Sequence, residues 1–128
     1  MNFKELIDLI RQRPGMWIGN LELRNLYNFT NGFTYYIWAN KIDDFFASSY
    51  DKYFNWWLQD AIRKEYKDNV VLFEDLQYNN SRSFVQLIPL IELDSKKQID
   101  LYFAYVDKFY EDYLKGVDFE AIKKIYWK

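Results

Sequence analysis

The sequence predicts an all-α fold, a compact single-domain bundle of about five to six helices with a short extended segment near residues 70–78. Three observations carry that expectation. Apolar residues recur at helical spacing along most of the chain. Cap-forming residues such as Asn2, Asn20, Asp94 or Ser95, and Asp118 stand directly before those stripes. The chain has 128 residues, half of them apolar, which is enough to bury about two thirds of the unfolded surface in one domain.

The elements follow in order. Helix one is expected from about Phe3 to Arg13, with Asn2 as its cap, Glu5 closing the pair, and Phe3, Leu6, Ile7 and Ile10 as its stripe. Pro14 disfavours the helical region for Arg13, so the helix should stop there. The run Arg13, Pro14, Gly15, Met16, Trp17, Ile18, Gly19 then reads as a stiff turn that fixes the angle between two helices. Gly15 and Gly19 are free to take positive φ, and Met16, Trp17 and Ile18 are apolar enough to anchor in a core.

Helix two should open after Asn20 and end near Asn40, marked by Leu23, Leu26, Tyr27, Phe33, Tyr36 and Ile37. Gly32 inside it suggests a close helix approach or a bend. Residues 41–48 read as a connection, with Asp43 and Asp44 exposed and Phe45 or Phe46 tucked in. Helix three is expected from about Ser49 to Tyr66, on Tyr50, Phe54, Trp57, Leu58 and Ile62. Val70 to Tyr78 reads as a short strand or an extended apolar plug, and residues 79–81 as a turn or cap cluster.

Helix four should cover about Arg82 to Leu93, disturbed by Pro89, which removes a backbone hydrogen bond and kinks a helix. Helix five, about Lys96 to Leu114, is the most aromatic, and Gly116 suits its C′ position. Its expected stripe is Ile99, Tyr102, Phe103, Val106, Phe109, Tyr110 and Tyr113. Asp118 caps a short last helix with Phe119, Ile122, Ile125 and Tyr126 inward.

Composition narrows the function classes. There is no cysteine, which removes disulfides, thiolate catalysis and Cys-ligated metals. There is no histidine, which removes the usual general base and the commonest metal ligand. No catalytic residue, cofactor or metal is therefore expected, and the missing cysteines suit a cytoplasmic address. The N-terminus lacks a basic stretch followed by an apolar one, so no signal peptide is expected. No apolar run is long enough to span a membrane.

The net charge of −2 argues against a general nucleic-acid binder. Between Glu65 and Asp112 ten acids face five bases, giving −5, and the last sixteen residues are +2. Lys115, Lys123, Lys124 and Lys128 read as a solvated, dipole-favoured face. The adjacent pairs Asp43-Asp44, Glu74-Asp75 and Glu111-Asp112 diverge by about 100° on a helix, which suits solvated faces better than shared acid–base chemistry.

As a binding surface, Asp100, Asp107, Glu111 and Asp112 would offer an acidic stripe to a basic partner, with Asp43, Asp44 and Trp56 as further contacts. The runs Tyr35-Tyr36-Ile37-Trp38 and Trp56-Trp57 cannot point wholly inward, so each should expose at least one ring. Exposed Trp and Tyr are common interface anchors.

The segment Arg13–Gly19 resembles the Arg-Pro-Gly-Met-Tyr-Ile-Gly stretch near the start of the DNA gyrase B subunit and its relatives. The helix after it, Leu21 to Phe29, lacks that family's Asn-x-x-Asp-Glu signature, and four glycines cannot build its Gly-rich lid. ATPase activity is not expected. A second resemblance covers about the first two thirds of the chain. Ile10 to Gly19, Asn31 to Tyr35, Phe54 to Leu58 and Phe84 to Leu93 are similar to small bacterial proteins that share an N-terminal Arg-Pro-Gly-Met-aromatic-Ile-Gly motif. Some of those look like immunity proteins that neutralise toxins of interbacterial competition. The resemblance implies a non-catalytic, protein-binding role with a basic toxin domain as partner. The competing expectation is a structural or regulatory module that self-associates through its aromatic face.

Overall fold

A computed structural model describes residues 1–69, 71, 72, 76 and 83–127 of the chain. The fold is an all-α single domain with no strand among the described residues, and seven α-helices lie wholly within them. They are α1 (Phe3–Gln12), α2 (Pro14–Ile18), α3 (Leu23–Ala39), α4 (Phe45–Glu65), α5 (Phe84–Leu87), α6 (Ser95–Leu114) and α7 (Phe119–Tyr126). A 3₁₀ turn, Ile88–Leu90, continues α5.

Helix α1 matches its expectation. Asn2 Oδ1 accepts from the Glu5 amide at 2.8 Å, and Phe3, Leu6, Ile7 and Ile10 are buried. Residues 13–19, expected as an irregular turn, form α2, with Pro14 at the first helical position where its missing amide costs nothing. Only Gly19 of its two glycines takes positive φ, at 70°. Ile18 is buried and Trp17 half-buried, with its ring edge-on to Phe29. Met16 is 71% exposed, so it does not anchor the turn.

Helix α3 begins at Leu23, later than Asn20 suggested, and turns Leu23, Leu26, Thr30, Thr34 and Ile37 inward. The two buried threonines satisfy their hydroxyls by donating to backbone carbonyls one turn back. Gly32 is exposed with nothing within 4 Å of a notional Cβ, so no helix among the described residues approaches it.

Helix α4 starts at Phe45, four residues before Ser49, because Asp44 is its cap. It is the central rod, in contact with α1, α3, α5, α6 and α7. Asn55, on α4, accepts the Phe84 amide at 2.9 Å and so fixes the start of α5. Gln59 is fully buried there with neither side-chain polar atom hydrogen-bonded, a cost of about 1–3 kcal/mol that the surrounding packing must offset.

The expected extended segment near 70–78 is not seen at its described positions. Val71, Leu72 and Leu76 are helical, the Leu72 amide donates to Asn69 Oδ1 at 3.0 Å, and Leu72 and Leu76 are buried. The apolar character of this stretch did not by itself distinguish a helix from a strand. The turn cluster at 79–81 and the expected helix start at Arg82 lie outside the described residues.

The helix expected to reach Leu93 is shorter. Pro89 ends the α-helical ladder at Leu87, and the chain tightens into the 3₁₀ turn instead of kinking and continuing. Leu93 is consequently exposed.

Helix α6 is capped by Asp94, whose carboxylate accepts the Lys97 amide at 2.9 Å, and Gly116 follows it at φ 75°. Its aromatic stripe meets α4 in the core. Tyr50 and Tyr102 share a buried hydrogen bond at 2.6 Å, and burial pushes both phenols well above the usual tyrosine range. Tyr105 is also buried; its hydroxyl donates to Glu65 Oε2 at 2.9 Å, which lets a polar-tipped ring sit inside.

Helix α7 lies along α4. Asp118 caps it through the Ala121 amide, Phe119 stacks on Phe109, Tyr53 donates to Glu120 at 2.8 Å and Tyr126 donates to Asp60 at 2.5 Å. Ile125, expected inward, is exposed. No helix among the described residues is long and apolar enough to cross a membrane.

Candidate protein-binding surface

The acidic residues of α6 are only partly available. Asp100, Asp107 and Glu111 do fall on one side of the helix, at spacings of seven and four. Asp107, however, is ion-paired with Arg11 of α1. Asp112 is half-buried and accepts the Trp57 indole N–H at 2.9 Å. Only Asp100 and Glu111 remain exposed without an ion pair among the described residues. The expected stripe is therefore two separated carboxylates. Trp56 is half-buried, edge-on to Trp127 with ring centroids 5.7 Å apart, so it braces α7.

Asp44 is likewise structural. Its Oδ1 accepts the Ala47 amide at 3.0 Å and its Oδ2 accepts the Phe3 amide at 2.8 Å. One carboxylate thus closes the N-termini of α4 and α1, where the helix dipoles favour negative charge. Asp43, its neighbour, is exposed. Residues 13–19 form a corner between helices and bring no reactive group together with the acids.

A different surface stands out at the corner where α3 hands over to α4. The inward stripe of α3 forces Tyr35, Tyr36 and Trp38 outward, at 67%, 54% and 75% exposure. Tyr35 and Trp38 lie against each other with centroids 5.9 Å apart. Phe45, at the start of α4, is 75% exposed while Phe46 beside it is buried. Tyr35, Trp38 and Phe45, three large aromatic side chains in solvent around one corner, form an apolar patch of the kind that marks interaction sites. The run at 35–38 signalled that some rings must face out. Phe45 gave no signal, since either of two adjacent phenylalanines could have turned inward.

Two grooves open beside these rings. One, of about 500 Å³, runs past Trp38, Lys41, Asp43, Phe45, Asp51 and Lys52. The other, of about 550 Å³, lies between Tyr35, Trp38 and Asp51. They share Thr34, Trp38 and Asp51, so the corner is one continuous furrow.

The backbone at this corner is strained. The Ile42 amide donates to Ile37 O and the Lys41 amide to Trp38 O, a Schellman closure with Lys41 at φ 53°. Helix α6 ends in the same pattern, Val117 N to Asp112 O and Gly116 N to Tyr113 O, and there glycine occupies the left-handed position. Lysine in that conformation costs about 1 kcal/mol relative to glycine. Lys41→Gly should therefore raise stability by about 1 kcal/mol, read from the midpoint of urea unfolding. An unchanged or lower midpoint would mean that contacts of the lysine side chain outweigh the strain.

Comparison with protein-family models, with curated proteins and with solved structures finds no match to this chain. Fold and surface thus define it as an all-α single-domain protein with an aromatic furrow between its third and fourth helices.

Proposed function

We propose that this protein is a non-catalytic binding domain that seats a protein partner on the α3–α4 corner. Within that class, we take it to be a cytoplasmic immunity protein that masks a toxin of an interbacterial competition system. The observation that carries the binding reading is the clustering of exposed Tyr35, Trp38 and Phe45 around one furrow. Exposed aromatics beside a groove are the usual anchors of protein interfaces. The toxin reading is supported by the resemblance of Ile10 to Gly19 to immunity-type proteins, and by exposed carboxylates at Asp43 and Asp51 that suit a basic partner.

Co-expression with a toxin-like product of the adjacent gene should restore growth. The combined variant Trp38→Ala, Phe45→Ala should weaken binding to the purified toxin by about 2 kcal/mol or more, roughly 30-fold, and abolish rescue. Its unfolding midpoint should stay where it is, because both rings are exposed. Glu111→Lys should leave binding intact. The reverse pattern, with Glu111→Lys decisive and the aromatic variant silent, would return the interface to α6. A dimer in sedimentation that dissociates in the aromatic variant, with no partner bound, would favour self-association instead.

A further inference from the structure

The furrow's second half has a composition that selects one kind of side chain. Tyr35 and Trp38 offer two exposed rings, tilted at 43° to each other, from α3. From α4, Asp51 faces the same groove, exposed and without an ion pair among the described residues. Asn31, Gly32 and Thr34 also line it, and no basic residue belongs to it among the described residues. Gly32 leaves the floor open, with nothing within 4 Å of where a Cβ would stand.

Two π-faces and a carboxylate around an open groove with no base among its described lining residues complement a flat cation. A guanidinium fits better than an ammonium, since it can lie along a ring while directing paired N–H groups at one carboxylate. Lys41 and Lys52 line the neighbouring half of the furrow, where Asp43 is also exposed. The second half is thus the part of the corner with one-sided charge.

We propose that the groove between Tyr35, Trp38 and Asp51 receives an arginine side chain from a basic segment of a protein partner. This rests on the partner-binding reading above and adds which residue of the partner is read. The side chain would enter over Gly32, lay its guanidinium along Trp38 and donate to the Asp51 carboxylate.

The test is a nuclear magnetic resonance titration of the full chain with capped Gly-Arg-Gly peptide, and with the same peptide carrying citrulline, which keeps the shape and loses the charge. Saturable shifts of the Trp38 indole and of amides 31–35 are expected with the arginine peptide alone. Asp51→Asn should weaken that binding about tenfold, the scale of one charge-assisted hydrogen bond. Asp51 is exposed and unpaired, so this variant should fold normally. Equal binding of the citrulline or a lysine peptide, or indifference to Asp51→Asn, would overturn the proposal. So would Trp38 shifts on dilution without peptide, which would make a second copy the occupant. The titration needs no toxin. Rescue that is lost in the Trp38, Phe45 variant but survives Asp51→Asn would keep the binding reading while removing this one.

Discussion

Phe109→Ala is expected to lower the free energy of unfolding by about 3–5 kcal/mol, the range for removing a buried phenylalanine. Phe109 is fully buried on α6 and is the ring through which three helices meet. Its centroid lies 5.4 Å from Phe54, 5.5 Å from Trp57 and 5.9 Å from Phe46, all on α4, and 4.6 Å from Phe119 on α7. Truncation removes the transfer energy of the ring and leaves a cavity walled by other large rings. Rings pinned by their own neighbours cannot slide far to fill it. In a domain of this size the melting temperature should fall by about 10–15 °C. Phe45→Ala provides the contrast, since its ring is exposed and its loss should stay within about 0.5 kcal/mol. Comparable losses at both sites would mean that Phe45 is covered in solution by something outside this chain.

The fold was readable wherever a local pattern decided it. Asn2, Asp94 and Asp118 cap their helices through the amide three residues on, and Gly116 closes α6 at positive φ. Each of those signals is complete within a few residues. The readings that failed depended on distant partners. Arg11 reaches Asp107 across 96 residues and Trp57 reaches Asp112 across 55, so carboxylates that read as a surface stripe are held internally. Tyr105 could be buried only because Glu65, 40 residues away, receives its hydroxyl. The furrow was half readable. Four consecutive bulky residues at 35–38 must expose some rings, but which ones follows from the inward threonines of α3, and Thr30 and Thr34 read as polar. Only burial with their hydroxyls bonded to their own helix makes them core residues.

Asp44→Ala should cost about 2–3 kcal/mol, although Asp44 looks in the sequence like one of two exposed acids in a connection. Losing the cap of α4 accounts for about 1 kcal/mol of this. The remainder comes from the Phe3 amide, a first-turn donor with no partner inside α1 that would be left unpaired in a part-buried setting. The capping of α4 by Asp44, ahead of the expected start near Ser49, is explained by this second hydrogen bond across 41 residues. Asp44→Asn keeps one acceptor oxygen and should cost about half as much. Asp43→Ala should be neutral within about 0.5 kcal/mol, because that carboxylate is exposed and makes no hydrogen bond or ion pair among the described residues. Urea midpoints of the three variants decide the matter. A stable Asp44→Ala protein with weakened partner binding would instead make Asp44 a contact residue. Destabilisation in the expected order would leave Asp43 and Asp51 as the carboxylates this corner can present to a basic partner.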